Sequence, residues 1–196
     1  MTYWSAYQQR LAKEVSQADN AQGFDVAFYG DSILEHWLGT SQGTNWRGSA
    51  IYVSQYERLF GNASDFTSKV LAIAGDDLAN LWWRVGQGGE WPKVHLPKLA
   101  VLMIGTNDLS DADCLETEDA LLGAVPGILA RMNGVLVAIS NAPHIAIVGI
   151  LPRGAAFWKS EQKWPWPNRY TNAIGYVNQG FAVRVAPYLF FSHAKP

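Results

Sequence analysis

Three short polar segments each follow a run of apolar residues and contain side chains that could do chemistry. They are Gly-Asp-Ser at residues 30–32, Ala-Gly-Asp-Asp at 74–77 and Gly-Thr-Asn-Asp at 105–108. A serine hydroxyl becomes a good nucleophile once a base takes its proton, and a strand-to-helix turn exposes its Oγ. Each segment alone is weak evidence, because such segments also occur as turns or helix caps. Their occurrence in order, each directly after an apolar run, predicts Ser32 as a catalytic nucleophile.

The apolar runs have the length and composition of buried strands. They are continuously apolar rather than alternating, which is typical of strands buried on both faces of a parallel sheet. The runs lie at residues 24–29, 69–74, 99–104, 145–151 and 188–192. Helical patterns lie between them, so the sequence predicts an α/β fold, a three-layer α/β/α sandwich with right-handed crossovers. In such open sheets ligands bind at the carboxyl ends of the strands, where the polar segments lie.

Composition and charge exclude several classes of protein. The chain has 196 residues, of which 48% are apolar and 16% charged, and this suits one domain over residues 1–196. A net charge of −2 gives no electrostatic case for a nucleic-acid partner. No signal peptide and no apolar run of about 18 residues is seen, so we expect a cytoplasmic protein without an integral membrane segment. The single cysteine, Cys114, is interpreted as an ordinary side chain.

Taken together, the three polar segments resemble the sequence blocks of the SGNH hydrolase superfamily, also called GDSL esterases/lipases. Gly-Asp-Ser-Ile-Leu at residues 30–34 matches the first block, Gly75 the second and residues 105–108 the third. The likeness covers nearly the whole chain, from about residue 4 to the fifth strand. Within the superfamily the chain is most similar to the platelet-activating-factor acetylhydrolase-like branch. This finer likeness is carried by residues 75–84, 149–154 and 172–178.

The resemblance implies a fold, a mechanism and roles for individual residues. The implied fold is flavodoxin-like, with a parallel five-stranded sheet in the order 2-1-3-4-5. The implied mechanism is ester hydrolysis through an acyl-enzyme on Ser32, without a metal or other cofactor. The oxyanion hole would consist of the backbone N–H groups of Ser32 and Gly75 and the side-chain amide of Asn107. Structural roles, as helix caps, loop ligands or ion pairs, are expected for Asp31, Asp108 and Arg84.

A catalytic base is the part of the resemblance that the sequence lacks. The superfamily completes its triad with an Asp-x-x-His motif near the C-terminus, and no such motif follows Ser32. We therefore expect a chain truncated after the fifth strand; a degenerate member with little catalysis and an unorthodox base are the alternatives. His95 and His144 precede the third and fourth strands, at the wrong edge of the sheet, and His36 matches a structural position. His193, after the fifth strand, is the one candidate for a substitute base.

The sequence indicates the substrate only in outline. The resemblance implies a small-molecule, lipid or sugar ester, and it is compatible with a homo-oligomer. Aromatic residues in the segment 154–170, after the fourth strand, are expected either to overhang the site or to cover the sheet. The alternative to an esterase is a binding module that keeps the cleft without catalysis. A flavodoxin-like nucleotide binder is disfavoured, because no glycine-rich phosphate loop follows the first strand.

Overall fold

Strands and helices alternate along the chain in the computed structural model, which describes residues 2–46, 50–61, 65–109, 117–152 and 167–185. This alternation is the one that the sequence predicts. In chain order the elements are α1 (Tyr3–Asp19), β1 (Val26–Gly30), α2 (Ser32–Glu35) followed by a 3-10 turn (His36–Leu38), β2 (Thr40–Ser41), β3 (Thr44–Asn45), α3 (Ala50–Phe60), β4 (Ser68–Ala72), α4 (Leu78–Gly86), β5 (Leu99–Met103), α5 (Glu118–Ala138), β6 (Ile145–Ile147) and α6 (Thr171–Val185).

Four of these strands form one parallel sheet in the order β4-β1-β5-β6. The central strand is β1, whose last residue, Gly30, pairs with Ala72 of β4 on one side and with Met103 of β5 on the other. Counted along the predicted strands, this order is 2-1-3-4. The predicted α/β fold is therefore confirmed for four strands. The predicted fifth strand, residues 188–192, lies outside the described residues.

Helices cover both faces of the sheet, as a three-layer sandwich requires. Alternate strand residues divide between two apolar clusters, with Ala27 and Tyr29 in one and Phe28 in the other. The first cluster includes residues of α1, α4, α5 and α6. The second includes residues of α2 and α3, and there the rings of Trp37 and Phe60 pack edge-on against Phe28. Burial on both faces explains why the strand sequences are continuously apolar.

Two local features differ from the sequence prediction. Strand β6 ends at Ile147 instead of residue 151, because the backbone of Ile150 pairs with a side chain and not with a strand. The N–H of Ile150 donates to Asn178 Oδ1 at 2.7 Å, and Asn178 Nδ2 donates to the carbonyl oxygen of Ile150 at 3.0 Å. The antiparallel β2–β3 hairpin has no counterpart in the prediction, since two-residue strands carry no periodicity.

Helix α5 qualifies the expectation that no segment could cross a membrane. Among the described helices it is the one whose length and apolar composition would be sufficient to cross a membrane. In the fold it packs between α4 and α6. Its buried face consists of Leu121, Val125, Ile128, Met132, Val135 and Leu136. This packing accounts for much of its apolar sequence, so the helix is weak evidence for a membrane span.

Candidate active site

The three polar segments singled out in the sequence lie at one edge of the sheet. Since β1 pairs in parallel with both β4 and β5, the segments that leave these three strands emerge side by side. Ser32 follows the end of β1 by two residues, Gly75 follows β4 by three and Asn107 follows β5 by four. This is the carboxyl edge of the sheet, where parallel α/β folds bind ligands.

Ser32 opens α2 without capping it. The cap is Asp31, whose buried carboxylate accepts the N–H of Ile33 at 2.9 Å. The half-buried hydroxyl of Ser32 forms no hydrogen bond with any residue that the structure describes. Glycine is needed at position 30, because a Cβ on Gly30 would lie 2.2 Å from the carbonyl oxygen of Met103. Among the described residues nothing competes for the serine oxygen, which needs a base beside it to act as a nucleophile.

Gly75 occupies a backbone conformation that favours glycine, with φ at +92°. A Cβ at this position would enter open space, where the nearest atom is Nε2 of Gln42 at 3.9 Å. Backbone conformation rather than crowding by neighbours thus selects glycine here. The space in front of its Cα is open to a ligand.

The side chain of Asn107 reaches from the loop after β5 to the loop after β4. Its Nδ2 donates to the carbonyl oxygen of Asp76 at 2.7 Å, directly beside Gly75. A carbonyl oxygen only accepts hydrogen bonds, so the NH2 group of Asn107 must face this turn. The contact uses one of the two amide hydrogens and leaves the second for another acceptor.

Asp108 links the same two loops. Its buried carboxylate accepts the N–H of Leu78, the first residue of α4, at 2.9 Å and lies 3.3 Å from the guanidinium of Arg131. Burial raises the pKa of Asp108 to about 6, although the N–H of Leu78 and the charge of Arg131 oppose the shift. Both Asp31 and Asp108 therefore bind backbone N–H groups at the start of a helix, and their supporting role in the site stays a prediction.

A buried ionic cluster holds the turn that carries the glycine. Arg84 on α4 is fully buried and donates to Asp76 at 2.5 Å and to the two carboxylate oxygens of Glu90 at 2.9 and 2.5 Å. It also donates to the carbonyl oxygen of Leu71 at 2.9 Å. Burial, together with the charge of Glu90, raises the pKa of Asp76 to about 6 in spite of Arg84. Arg84 therefore has the structural role expected of it, with two acids as partners.

Glu35 is a residue that the sequence analysis missed. Its carboxylate is fully buried and joins the β2–β3 hairpin to the turn after β4. The four groups that donate to it are the hydroxyl of Thr40 (2.9 Å) and the backbone N–H groups of Gln42 (2.9 Å), Gly43 (2.8 Å) and Ala74 (2.6 Å). In the sequence, Ser32-x-x-Glu35 is typical of a helix capping box, so the sequence alone predicts a capping role for Glu35 and not its contacts with the hairpin.

None of the three described histidines forms a hydrogen bond with Ser32. His36 stacks on the ring of Trp46 with centroids 3.7 Å apart, and burial lowers the pKa of His36. His95 and His144 precede β5 and β6, so both lie at the amino edge of the parallel sheet, as predicted. His193, the predicted substitute base, lies outside the described residues, and its role stays a prediction.

Two clefts of different size border the loops of the site. The first, of about 10 Å³, lies between the loops after β1, β5 and β6, and its lining includes Asp31, Ile33, Thr106 and Ile150. The second, of about 350 Å³, lies on the β4 side and is lined by Tyr3, Ser41, Gln42 and Thr44. A larger cavity of about 530 Å³, beside Asp25 and Thr67, lies at the amino edge of the sheet and is remote from the polar segments.

The structure decides between the two alternatives for one aromatic residue of the segment 154–170 and leaves the others untested. Tyr170 belongs to the core, with an exposed fraction of 2%, and therefore covers the sheet instead of overhanging the site. The other aromatic residues of that segment lie within residues 153–166, outside the described part of the chain. In the described ranges, no group of three or more His, Cys, Asp or Glu side chains could hold a metal ion.

Solved structures of hydrolases share this architecture, although no protein-family model and no curated protein match the sequence. A GDSL-like lipase from Bacteroides thetaiotaomicron is 20% identical and superposes with a TM-score of 0.51, over 93% of this chain and 74% of the lipase. A catalytic mutant of Axe2, an acetylxylan esterase from Geobacillus stearothermophilus, is 15% identical with a TM-score of 0.54, over 85% of this chain and 74% of the esterase. The chain therefore has the fold of SGNH/GDSL hydrolases.

Proposed function

We propose that this chain is a serine ester hydrolase of the SGNH type that works through an acyl-enzyme on Ser32. One observation carries the proposal: a serine hydroxyl, a glycine turn and an amide donor converge at the carboxyl edge of the sheet. The fold shared with a lipase and an acetylxylan esterase supports it. The segments at residues 75–84 and 149–154 support a place in the platelet-activating-factor acetylhydrolase-like branch.

The proposed reaction begins with attack of Ser32 Oγ on the carbonyl carbon of the ester, while a base takes the hydroxyl proton. Negative charge then develops on the carbonyl oxygen. The N–H groups of Ser32 and Gly75 and the second amide hydrogen of Asn107 would stabilise it. The alcohol leaves with the proton held by the base, and water hydrolyses the acyl-enzyme to a carboxylic acid and free serine. His193 is the proposed base.

The acyl group of the proposed substrate is short, such as acetyl. The pocket on the β5 and β6 side of the nucleophile measures about 10 Å³ and is bordered by the side chains of Ile33 and Ile150. A volume of this size holds about one water-sized group, which is the size of a methyl group. A long acyl chain would need these side chains to move apart.

Labelling by a fluorophosphonate and hydrolysis of p-nitrophenyl acetate test the proposal. The wild-type chain should react with both reagents, and Ser32→Ala with neither. Ser54→Ala on α3 is a matched control, because this hydroxyl donates to the carbonyl oxygen of Ile51 within its own helix. Asn107→Ala should keep KM and lower kcat by about 10²–10³, the usual cost of losing one oxyanion donor.

Each outcome of these assays has a definite meaning. Equal labelling of the wild type and Ser32→Ala would exclude Ser32 as the nucleophile. Labelling of Ser32 without turnover would mean that the nucleophile is active and that no base completes the reaction. Wild-type protein that is neither labelled nor active would favour the alternative, a binding module that keeps the cleft without catalysis.

A further inference from the structure

We propose that the β2–β3 hairpin forms a subsite for a carbohydrate leaving group, with Gln42 in contact with the alcohol part of the ester. The inference rests on the proposed function, because it assigns the alcohol side of the same site. The pocket on the β5 and β6 side has room for one small group only. We place the larger part of the ester at the cleft of about 350 Å³ on the β4 side, which is the larger of the two described clefts beside these loops.

The hairpin is held firmly against the turn after β4. Glu35 accepts the N–H of Gln42 in the hairpin at 2.9 Å and the N–H of Ala74 in the turn at 2.6 Å. On its other side the hairpin packs against the ring of Tyr7, because a Cβ added to Gly43 would lie only 2.8 Å from that ring. Such support fixes the position of side chains that select a ligand.

Gln42 has the place of a ligand-contacting residue. Its φ of +47° is the conformation that the two-residue hairpin turn requires at its first central position. Its Nε2 donates to the carbonyl oxygen of Ala74 at 3.1 Å and is the atom nearest to the open space in front of Gly75. The amide therefore stands beside the proposed reacting carbonyl.

The remaining residues of the cleft fit a neutral, polyhydroxylated ligand. The ring of Tyr3 is 76% exposed and offers a flat apolar surface for the face of a sugar ring. Ser41 and Thr44 add hydroxyl groups, and the Gln42 amide adds a second hydrogen that its contact with the turn does not use. The four described side chains that line this cleft carry no charge, and this favours a sugar over a phosphate or a charged lipid headgroup.

Sugar binding is tested by NMR titration of the full chain with xylotriose, cellotriose and maltotriose. For at least one of them we expect saturable shifts of the backbone amides of Tyr3, Ser41, Gln42 and Thr44. Tyr3→Ala should weaken this binding about tenfold, the loss expected for one ring contact. The control Tyr176→Ala, an exposed tyrosine on α6, should not weaken it. Absence of these shifts with all three sugars, or equal weakening by both variants, would overturn the subsite.

The contact of Gln42 with the alcohol is tested with two esters of the same acid, p-nitrophenyl acetate and acetylated xylotriose. Gln42→Gly removes the side chain and relieves the positive φ, so the fold should be at least as stable. We expect this variant to lower kcat/KM for the sugar acetate about tenfold more than for p-nitrophenyl acetate. Gln42→Asn, which tolerates the conformation and keeps an amide, should give an intermediate ratio. Equal losses for both esters would contradict the assignment.

Binding and turnover together distinguish this subsite from the proposed function. Sugar binding at the hairpin without esterase activity would leave the subsite standing and remove the esterase. Esterase activity without sugar binding at the hairpin would support the proposed function and overturn the subsite.

Discussion

Replacing Arg84 by methionine is expected to destabilise the fold through the acids that it leaves behind. The guanidinium is fully buried and bridges Asp76 and Glu90, so its removal leaves two buried carboxyl groups without their cation. Breaking a buried ion pair from one side costs about 3–5 kcal/mol. For 196 residues the entropy of unfolding is about 0.4 kcal/mol/K, so Tm should fall by about 7–12 °C.

Urea denaturation of the full chain at pH 5 and pH 8 measures this loss. The control is Lys98→Met, because Lys98 is 80% exposed at 2.7 Å from Asp25, and an exposed pair contributes about 0–1 kcal/mol. Without Arg84, the buried carboxyl groups bind protons more readily in the folded than in the unfolded chain. The loss in Arg84→Met should therefore be smaller at pH 5 than at pH 8. A loss no larger than that of the control, or one that grows on acidification, would refute this reasoning.

A compensated variant separates the charge of the cluster from its packing. Combining Arg84→Met with Asp76→Asn and Glu90→Gln removes all three charges together, so no uncompensated charge stays buried, although the two amides still lack the arginine as a partner. We expect this triple variant to recover part of the stability lost in Arg84→Met. No recovery would mean that the bulk of the arginine side chain, and not its charge, is what the fold requires.

Four other substitutions have expected outcomes that denaturation can check. The pKa of Asp108 is raised from 3.8 to about 6, so this group contributes a loss of up to about 3 kcal/mol of folding stability as the pH rises from 4 to 7, and Asp108→Asn should lack that contribution. Gly30→Ala should impair folding, because its Cβ would lie 2.2 Å from a carbonyl oxygen. In contrast, the Cβ of Gly123→Ala on α5 would meet no atom within 4 Å, so this substitution should stabilise the folded chain by about 0.4–1 kcal/mol. Asn178→Leu leaves both backbone groups of Ile150 without partners and should cost about 1–3 kcal/mol for each; a neutral result would contradict that pairing.

Much of the fold could be predicted from sequence because its strands are buried on both faces. Such burial leaves continuous apolar runs that stand out against the amphipathic helices, and β1, β4 and β5 were identified in this way. The end of β6 could not be found by the same means. What terminates the strand is a side chain 28 residues away, Asn178, which takes the place of a neighbouring backbone. The β2–β3 hairpin lacked a signal for a related reason, since its turn uses Gln42-Gly43 in place of the usual Asn-Gly.

Residues of the candidate site were predicted where their sequence signal is local, and they were missed where the fold supplies their partners. Ser32, Gly75 and Asn107 were predicted because each follows a recognisable strand, and parallel pairing brings strand ends together. Glu35 and Glu90 were missed because their partners are brought to them by the fold: Glu35 binds residue 74, distant in the sequence, and Glu90 binds an arginine on the preceding helix. A buried acid has no local sequence signal that distinguishes it from an exposed one.

The carboxylate of Glu35 anchors both the hairpin and the turn after β4, so the sequence of the hairpin can be exchanged while its anchor is kept. Three of the four contacts of Glu35 reach the hairpin, through Thr40, Gln42 and Gly43, and the fourth reaches Ala74. Two of the three hairpin contacts are made by backbone N–H groups, so they survive most changes of side chain. A library that varies the hairpin sequence at constant length could therefore alter selectivity while the glycine turn keeps its geometry. Changes of length would displace both together.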